Sequence, residues 1–200
     1  GMGSGSKGGK MEMHSSSKPR IVGENCTACG MCVENCSQQA ISISEQEQAM
    51  IDEELCIGCG QCVALCRFDS AQVVWEQSAE VTAEKIAEYA LAVVRGKPNF
   101  HINIITSVSP NCDCWSHNDA PIVSDLGIAV SNDPVALDKA SVDMVNQAPA
   151  LTSSVLADKG CKPGDDKFTL IHPNTNWQKG LEYAQLIGLG CMDYQLLIES

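Results

Sequence analysis

Eight of the twelve cysteines fall within residues 26–66, at one spacing that is used twice. The first run is Cys26-x-x-Cys29-x-x-Cys32-x-x-x-Cys36, and the second, thirty residues further on, is Cys56-x-x-Cys59-x-x-Cys62-x-x-x-Cys66. Three thiolates on one tight turn can point at a single inorganic cube, whereas a short helix carries the fourth toward a different cube. The spacing therefore predicts two iron–sulfur sites that exchange their fourth ligand.

Residues 20–76 resemble bacterial-type two-cluster ferredoxins. Gly30 and Gly60 take the same place in the two runs, where the lack of a side chain lets the backbone approach a cluster. Similar apolar segments flank the runs as an internal duplication: Ile21-Val22 and Met50-Ile51 before them, Ala40-Ile41 and Ala71-Gln72-Val73 after them. The resemblance implies two 4Fe–4S clusters, one held by Cys26, Cys29, Cys32 and Cys66 and the other by Cys56, Cys59, Cys62 and Cys36.

One position departs from the ferredoxin pattern. The residue after the fourth cysteine, usually proline in these proteins, is Ser37 in the first run and Arg67 in the second. No ligand is lost by this change. Because Arg67 places a cation near a cluster, we expect it to favour the reduced, more negative form.

Zinc and disulfide bonds are the alternatives for so many cysteines. Zinc ribbons use paired Cys-x-x-Cys knuckles a dozen or more residues apart, rather than four cysteines in eleven positions. Disulfides need an oxidising compartment, and we recognise no signal peptide in the sequence. We therefore expect clusters, with zinc in one of the sites as the main alternative.

The net charge and the hydropathy of the chain limit the classes of partner and the compartment that we expect. The formal net charge is −12, and each cluster with its four thiolates adds about −2 more. We therefore expect no nucleic acid or membrane partner, and instead a basic redox protein or the remainder of a larger oxidoreductase. The longest apolar stretches are far shorter than the ~20 residues that span a bilayer. Exposed clusters and thiols persist best in a reducing environment, so we expect a cytoplasmic protein, in an anaerobe.

Residues 1–20 form a glycine-rich N-terminal segment. Its composition is typical of a flexible tail or an added leader. The phosphate-binding Walker pattern fails, because Ser4 stands where glycine is needed and Met11 where serine or threonine is needed. An anion held by the glycine-rich backbone with Lys7 and Lys10 stays an alternative.

The remaining pattern predicts an α+β or α/β protein: a ferredoxin-like two-cluster module at 21–76, followed by a small α/β layer domain at 77–200. Strands are predicted at 71–75, 101–108, 126–130, 168–172 and 194–199, with helices at 82–95, 133–147 and 177–187. Asp133 is the expected N-cap of the second of these helices, and Pro134 takes its first helical position.

Several segments are similar to domain-of-unknown-function family 362: Gly1 to Ser15, Cys112-Asp113-Cys114-Trp115, Asp119 to Val123, Ser131 to Asp138, and Gly188-Leu189-Gly190 followed by Tyr194. That family consists of bacterial and archaeal iron–sulfur proteins in which a ferredoxin unit is inserted in a larger α/β domain. The resemblance covers nearly the whole chain. It implies a native glycine-rich start, a chain that is the C-terminal portion of a longer protein, and electron transfer without an established substrate.

A second cysteine group, Cys112-x-Cys114-x-x-His117, lies close to Asp119. These side chains could bind zinc, iron or a similar metal, with Cys161 or Cys191 as a fourth ligand. The alternative is that the two cysteines pack as small apolar groups, with Trp115 in the core. No Ser-His-Asp or paired-carboxylate arrangement is recognisable, and we assign no catalytic residue.

Three functions are compatible with these features. The duplicated run with all eight ligands favours an electron-transfer module, within a larger oxidoreductase system. An oxidoreductase with its own active site in the α/β half would need a pocket around the Cys112 group. A redox or oxygen sensor would need an effector domain, and no DNA-binding module is visible in the sequence.

Overall fold

The computed structural model describes residues 5–15, 18–74, 78–112 and 117–198. These residues form two compact units, which divide between Tyr89 and Ala90. The fold is mixed α/β, and the described residues contain seven α-helices and three two-stranded sheets. The domain limits inferred from the sequence, 1–20, 21–76 and 77–200, stay predictions.

The first unit begins with helix α1, Lys7–His14. The Oγ of Ser6 caps this helix by accepting a hydrogen bond from the Gly9 N–H at 3.1 Å. Met11 and Met13 are only 7% and 0% exposed, so α1 is packed against the unit. The flexible-tail interpretation is therefore wrong for residues 7–14, because burial of the two methionines offsets the poor helix propensity of a glycine-rich segment.

A β-α-β unit then occurs twice. The first copy is β1 (Arg20–Ile21), α2 (Met31–Glu34) and β2 (Ile41–Ile43), with a 3₁₀ turn at Gly23–Asn25; the second is β3 (Ala49–Ile51), α3 (Gln61–Leu65) and β4 (Ala71–Gln72). The two copies interlock, since β1 pairs antiparallel with β4 and β2 pairs antiparallel with β3. Strand β4 is shorter than the predicted 71–75, and Trp75 lies outside the described residues.

The thirty-residue repeat extends to the backbone conformation. Positive φ angles recur at matching positions: Ala28 (+50°) and Gly58 (+70°), Gly30 (+76°) and Gly60 (+72°), Gln39 and Asp69 (both +53°). Gly30 and Gly60 are the N-caps of α2 and α3. Glycine is favoured there because a Cβ is strained in the left-handed region.

The core of this repeated part is small and contains cysteine. Its buried residues are Ile41, Ala49, Cys62 and Ala71. Half-buried thiols of both cysteine runs pack against them, namely Cys26, Cys32, Cys36 and Cys66. Thiols therefore take central places that aliphatic side chains would fill in an ordinary core.

Helix α4, Ala79–Val94, begins three residues before the predicted start at Thr82. In the second unit β5 (His101–Ile105) pairs antiparallel with β6 (Gly127–Ser131), and helix α5, Pro134–Gln147, packs against both strands. Strand β5 ends three residues before the predicted limit. The other face of this sheet is apolar but exposed: Ile102, Ile104, Ile128 and Val130.

The predicted alternation of strand and helix does not hold in this unit. Helix α6, Lys167–Ile171, stands in place of the predicted strand at 168–172. The Asp166 carboxylate accepts hydrogen bonds from the Phe168 and Thr169 N–H groups and so starts a helix in a segment whose composition predicts a strand. Helix α7, Trp177–Leu186, agrees with the prediction.

The predicted C-terminal strand is also wrong for the part that can be checked. Residues 194–198 are assigned to neither a strand nor a helix, and Glu199 lies outside the described range. A strand requires a pairing partner, and this segment has none among the described residues.

The core of the second unit is formed by the end of β5, the segment between β5 and β6, helix α5 and the loop after that helix. Ile105, Ile122, Val123, Val145 and Leu156 are its main buried side chains. No helix in the described part of the chain is long and apolar enough to cross a membrane.

Candidate metal centres

The first unit contains a hollow lined by four thiols, those of Cys26, Cys29, Cys32 and Cys66. Its volume is about 370 Å³, counting the part open to solvent. Cys26 and Cys29 come from the loop that leads into α2, Cys32 comes from the first turn of α2, and Cys66 lies directly after α3. The set predicted to share one cluster thus lines one space.

A second hollow, of about 340 Å³, repeats this arrangement. Cys56, Cys59 and Cys62 come from the loop before α3 and from its first turn, and Cys36 comes from the residues after α2. Three cysteines of the second run and the fourth cysteine of the first therefore line one hollow. Their joint binding of a cluster stays a prediction.

Apart from the thiols, both hollows have mainly apolar side chains in their walls. Ile21, Ile43, Ala49 and Phe68 line the first hollow. Pro19, Ile41 and Ile57 line the second. Such walls lower the local dielectric constant and limit the access of water, two properties by which a protein adjusts a bound redox group.

Backbone N–H groups donate to the sulfur atoms at matching places. Ala40 N–H donates to Cys36 Sγ at 3.3 Å, and Ser70 N–H donates to Cys66 Sγ at 3.2 Å. Ala49 N–H donates to Cys26 Sγ at 3.3 Å and lowers the pKa of that thiol. These hydrogen bonds stabilise the thiolate, which is the form that binds metal.

The Cys66 thiol is subject to opposing effects. Partial burial raises its pKa, but the backbone N–H groups of Ala71, Phe68 and Ser70 outweigh burial and hold the pKa below its ordinary value. Cys66 also feels the negative charge of Cys26, from the other cysteine run. Cys66, the fourth cysteine of the second run, is here called the crossed cysteine because it is predicted to bind the cluster of the first run. It is therefore an electrostatic neighbour of the cysteines with which it is predicted to share that cluster.

Burial raises the pKa of the Cys62 thiol to about 11, and repulsion from Cys56, Cys32 and Cys59 contributes. Two of these neighbours belong to the second hollow, whereas Cys32 lines the first. The two hollows are thus close enough for their thiolates to interact.

The thiols surround a space and do not converge on a point. Within residues 5–15, 18–74, 78–112 and 117–198, no three His, Cys, Asp or Glu side chains are grouped so that they could hold a metal ion. Four thiolates around a single zinc ion lie about 2.3 Å from it and hence roughly 3.8 Å from one another. The cysteines that line each hollow do not form so compact a group.

The second predicted cysteine group is only partly described. Cys112, His117 and Asp119 are exposed, and Cys114 falls within 113–116, outside the described residues. Asn118 holds this loop, since its Nδ2 donates to Ser109 Oγ at 2.9 Å. A third metal site with Cys112, Cys114 and His117 therefore stays a prediction.

The two remaining cysteines lie in different surroundings. Cys161 is half-buried and packs against the core of the second unit. Cys191 is exposed, and its backbone N–H donates to Asp133 Oδ2 at 2.8 Å. In the part of the chain that the structure describes, neither thiol belongs to a metal-binding group.

The sequence profile of a family described as a domain of unknown function (DUF362) matches residues 1–143. The chain belongs to this family. The match includes the glycine-rich start and both cysteine runs, and it ends within α5. It does not reach Gly188–Gly190 and Tyr194, where the sequence also resembles the family. A search of curated proteins finds no match to the chain.

Sequence reasoning missed the position of α1. Gly8 lies against the backbone of Cys59, and Met11 lies against Gly60 between two cysteines of the second run. The sequence carries no signal for this position, because a glycine-rich segment has poor helix propensity and the contact joins residues distant in the chain.

Proposed function

We propose that this DUF362 chain is an electron-transfer protein that carries two 4Fe–4S clusters, as the redox module of a larger oxidoreductase system. One observation carries the proposal: two hollows, each lined by one complete predicted set of four thiols, including the crossed cysteine Cys66 in the first and its counterpart Cys36 in the second. A chain that merely buried its cysteines would have no reason to sort them into these two sets.

The arrangement of the thiols around two hollows, four to each, supports a cube over a single ion. In a cube each cysteine binds a different iron, so the sulfur atoms stand further apart than around one zinc ion. The thiols line hollows and do not form a compact metal-binding group. This favours clusters over the zinc alternative.

When bound, each cluster supplies a one-electron couple of low potential. The chain's own groups would set that potential. N–H donors such as those of Ala40, Ala49 and Ser70 stabilise negative charge on the sulfurs, and the apolar walls limit solvation. Arg67, exposed beside Cys66, adds a cation that favours the reduced state of the first cluster.

A basic redox protein is the partner that fits the first hollow. Met31, Ile43 and Phe68 line it and are 37%, 39% and 48% exposed. Acidic residues flank the segments that form this rim: Glu24 before Cys26, Glu47 before Ala49, and Asp69 after Phe68; all three are exposed. An apolar centre with an acidic border suits a partner with a basic border.

A reducing cytoplasm is the compartment in which these clusters and thiols would persist.

The function is tested by anaerobic reconstitution with iron and sulfide, followed by metal and sulfide analysis. We expect about eight irons and eight sulfides per chain. Cys36→Ala and Cys66→Ala should each retain about four irons, because each removes one ligand of a different site.

The control is Cys191→Ala, which removes an exposed thiol of the second unit and should retain all eight irons. Zinc in place of iron, or a Cys36→Ala variant that keeps both clusters, would contradict the proposal.

A further inference from the structure

Helix α1 contacts the second cysteine loop through Gly8 and helix α4 through Gly9. A Cβ on Gly8 would lie 2.9 Å from Cys59 Cα and 3.0 Å from the Cys59 carbonyl oxygen. A Cβ on Gly9 would lie 2.7 Å from Cε1 of Tyr89. Glycine weakens a helix interior, so its use at both positions indicates that this close approach is what the segment requires.

Met11 completes the contact. Its Sδ occupies the space that a Cβ on Gly60 would need. Gly60 lies between Cys59 and Cys62 and is part of the wall of the second hollow. A nearly buried side chain of α1 thus rests on the turn that presents two of the predicted cluster ligands.

Among the residues that the structure describes, the first cysteine loop has no such contact at the matching position. Gly30 has nearly the same φ as Gly60, but no described residue lies within 4 Å of a Cβ placed on it. Gly60 is buried, whereas Gly30 is only half-buried. The two sites are therefore alike in ligand spacing and unlike in what supports them.

Helix α4 holds α1 in place. Lys85 Nζ donates to the carbonyl oxygens of Glu12 and Ser15, at 2.7 and 3.2 Å, at the C-terminal end of α1. A cation at this end of a helix is stabilised by the helix dipole. The Tyr89 hydroxyl donates to the Glu12 carboxylate one turn further along α4.

We propose that α1 braces the second cysteine loop, so that the chain retains its second cluster more firmly than its first. This inference rests on the proposed function. Release of a cluster requires its cysteine loop to open. At the second site, opening must also break the contacts of Gly8 with Cys59 and of Met11 with Gly60, and the first site lacks the latter contact at Gly30.

The test uses the reconstituted full chain, challenged anaerobically with an excess of an iron chelator. We expect iron release in two phases of about four irons each. Cys66→Ala, which keeps only the second site, should show the slow phase, and Cys36→Ala, which keeps only the first, should show the fast phase. Met11→Ala should accelerate the slow phase about tenfold, equivalent to about 1.4 kcal/mol, and leave the fast phase unchanged.

Two further variants distinguish the loss of the α1 contact from a general loss of folding stability. Lys85→Met removes two of the hydrogen bonds that hold α1 against α4 and does not alter the cysteine loop, and it should also accelerate only the slow phase. Met50→Ala truncates a methionine that is 54% exposed and should change neither phase. A slow phase that is indifferent to both Met11→Ala and Lys85→Met would overturn the brace.

The outcomes separate the two proposals. Eight irons that leave in a single phase, or a first site that outlasts the second, would overturn the brace and leave the proposed function standing. A chain that takes up no cluster at all would overturn the proposed function, and the brace with it.

Discussion

The Asp133 carboxylate accepts a hydrogen bond of 2.8 Å from the backbone N–H of Cys191, 58 residues later in the chain. Its other oxygen caps α5 by accepting from the N–H groups of Val135 and Ala136, at 2.8 and 3.0 Å. Gly190 packs so closely against Asp133 that a side chain there would collide with it. One carboxylate therefore starts a helix and fixes the segment after α7.

Removal of this carboxylate should loosen both segments. We expect Asp133→Ala to destabilise the second unit by about 1–3 kcal/mol, because it removes an N-cap and leaves the Cys191 N–H without its acceptor. Hydrogen exchange should accelerate in the first turn of α5 and around residues 190–194. Glu182→Ala, at an exposed position of α7, is the control; equal exchange in the two variants would refute the dual role.

Lys167 is fully buried, and its Nζ donates to the carbonyl oxygen of Asn146 at 2.6 Å, in the last turn of α5. Lys167→Ala should cost about 2–4 kcal/mol, because it leaves a cavity and removes one of the two hydrogen bonds of the Asn146 carbonyl oxygen, the other coming from the Gly164 N–H. Lys167→Met should cost less, since it refills most of the volume. Hydrogen exchange in α5 and α6 measures both, with exposed Lys162→Ala as the control; equal losses for Ala and Met would be against this account.

The second unit should lose stability at acidic pH partly through Asp166. Burial raises the pKa of this carboxyl, but hydrogen bonds from Thr169 and Trp177 and from the Thr169 and Phe168 N–H groups outweigh burial and lower the pKa. A lowered folded-state pKa gives stability that is full above the ordinary value of about 3.9 and is lost as the pH falls through the folded value.

Asp166→Asn should therefore reduce stability most near pH 7, and the difference from the native chain should shrink below about pH 4. The indole N–H of Trp177 donates to Asp166 Oδ2 at 3.0 Å. Its NMR resonance, followed in urea titrations at each pH, measures the free energy of unfolding of the native chain and of Asp166→Asn. Asp158→Asn, at an exposed position, serves as the control. A stability difference independent of pH would contradict the role assigned to the carboxylate.

Electron transfer at the first hollow should depend on the charge of the acceptor. With a net charge of −12, the reduced chain should be oxidised faster by a cationic complex such as hexaammineruthenium(III) than its driving force alone predicts. Added salt should slow this reaction and accelerate oxidation by anionic ferricyanide. The double variant Glu24→Gln/Asp69→Asn should weaken both salt effects, and the control Glu182→Gln should not. Equal salt effects in the two variants would mean that electrons leave the chain at a surface other than the first hollow.

Local rules predicted some elements well. Asp133 followed by Pro134 specified the start of α5, because an N-cap carboxylate and a fixed proline φ act within one turn. In each cysteine run the first three cysteines line one hollow, which is a local property of the tight turn, and the fourth lines the other hollow. The clusters that the thirty-residue repeat predicts stay a prediction.

The errors came from contacts distant in sequence and from one missed cap. Asp166 caps α6 by accepting a hydrogen bond from the Thr169 N–H, in a segment whose β-branched and aromatic residues favour a strand. Helix α1 depends on Met11 reaching Gly60, 49 residues away, and no pattern within residues 1–20 encodes that contact. Tertiary packing overrode composition there.

The most direct measurement of the central claim is EPR of the reconstituted chain after anaerobic reduction with dithionite. Cysteines that line both hollows pack in one small core, so two reduced clusters should lie close enough for their spins to interact. We expect a broadened, spin-coupled spectrum from the full chain, and simple uncoupled signals from Cys36→Ala and Cys66→Ala. A spectrum from the native chain that equals the sum of the two variants, or no cluster signal, would contradict the account.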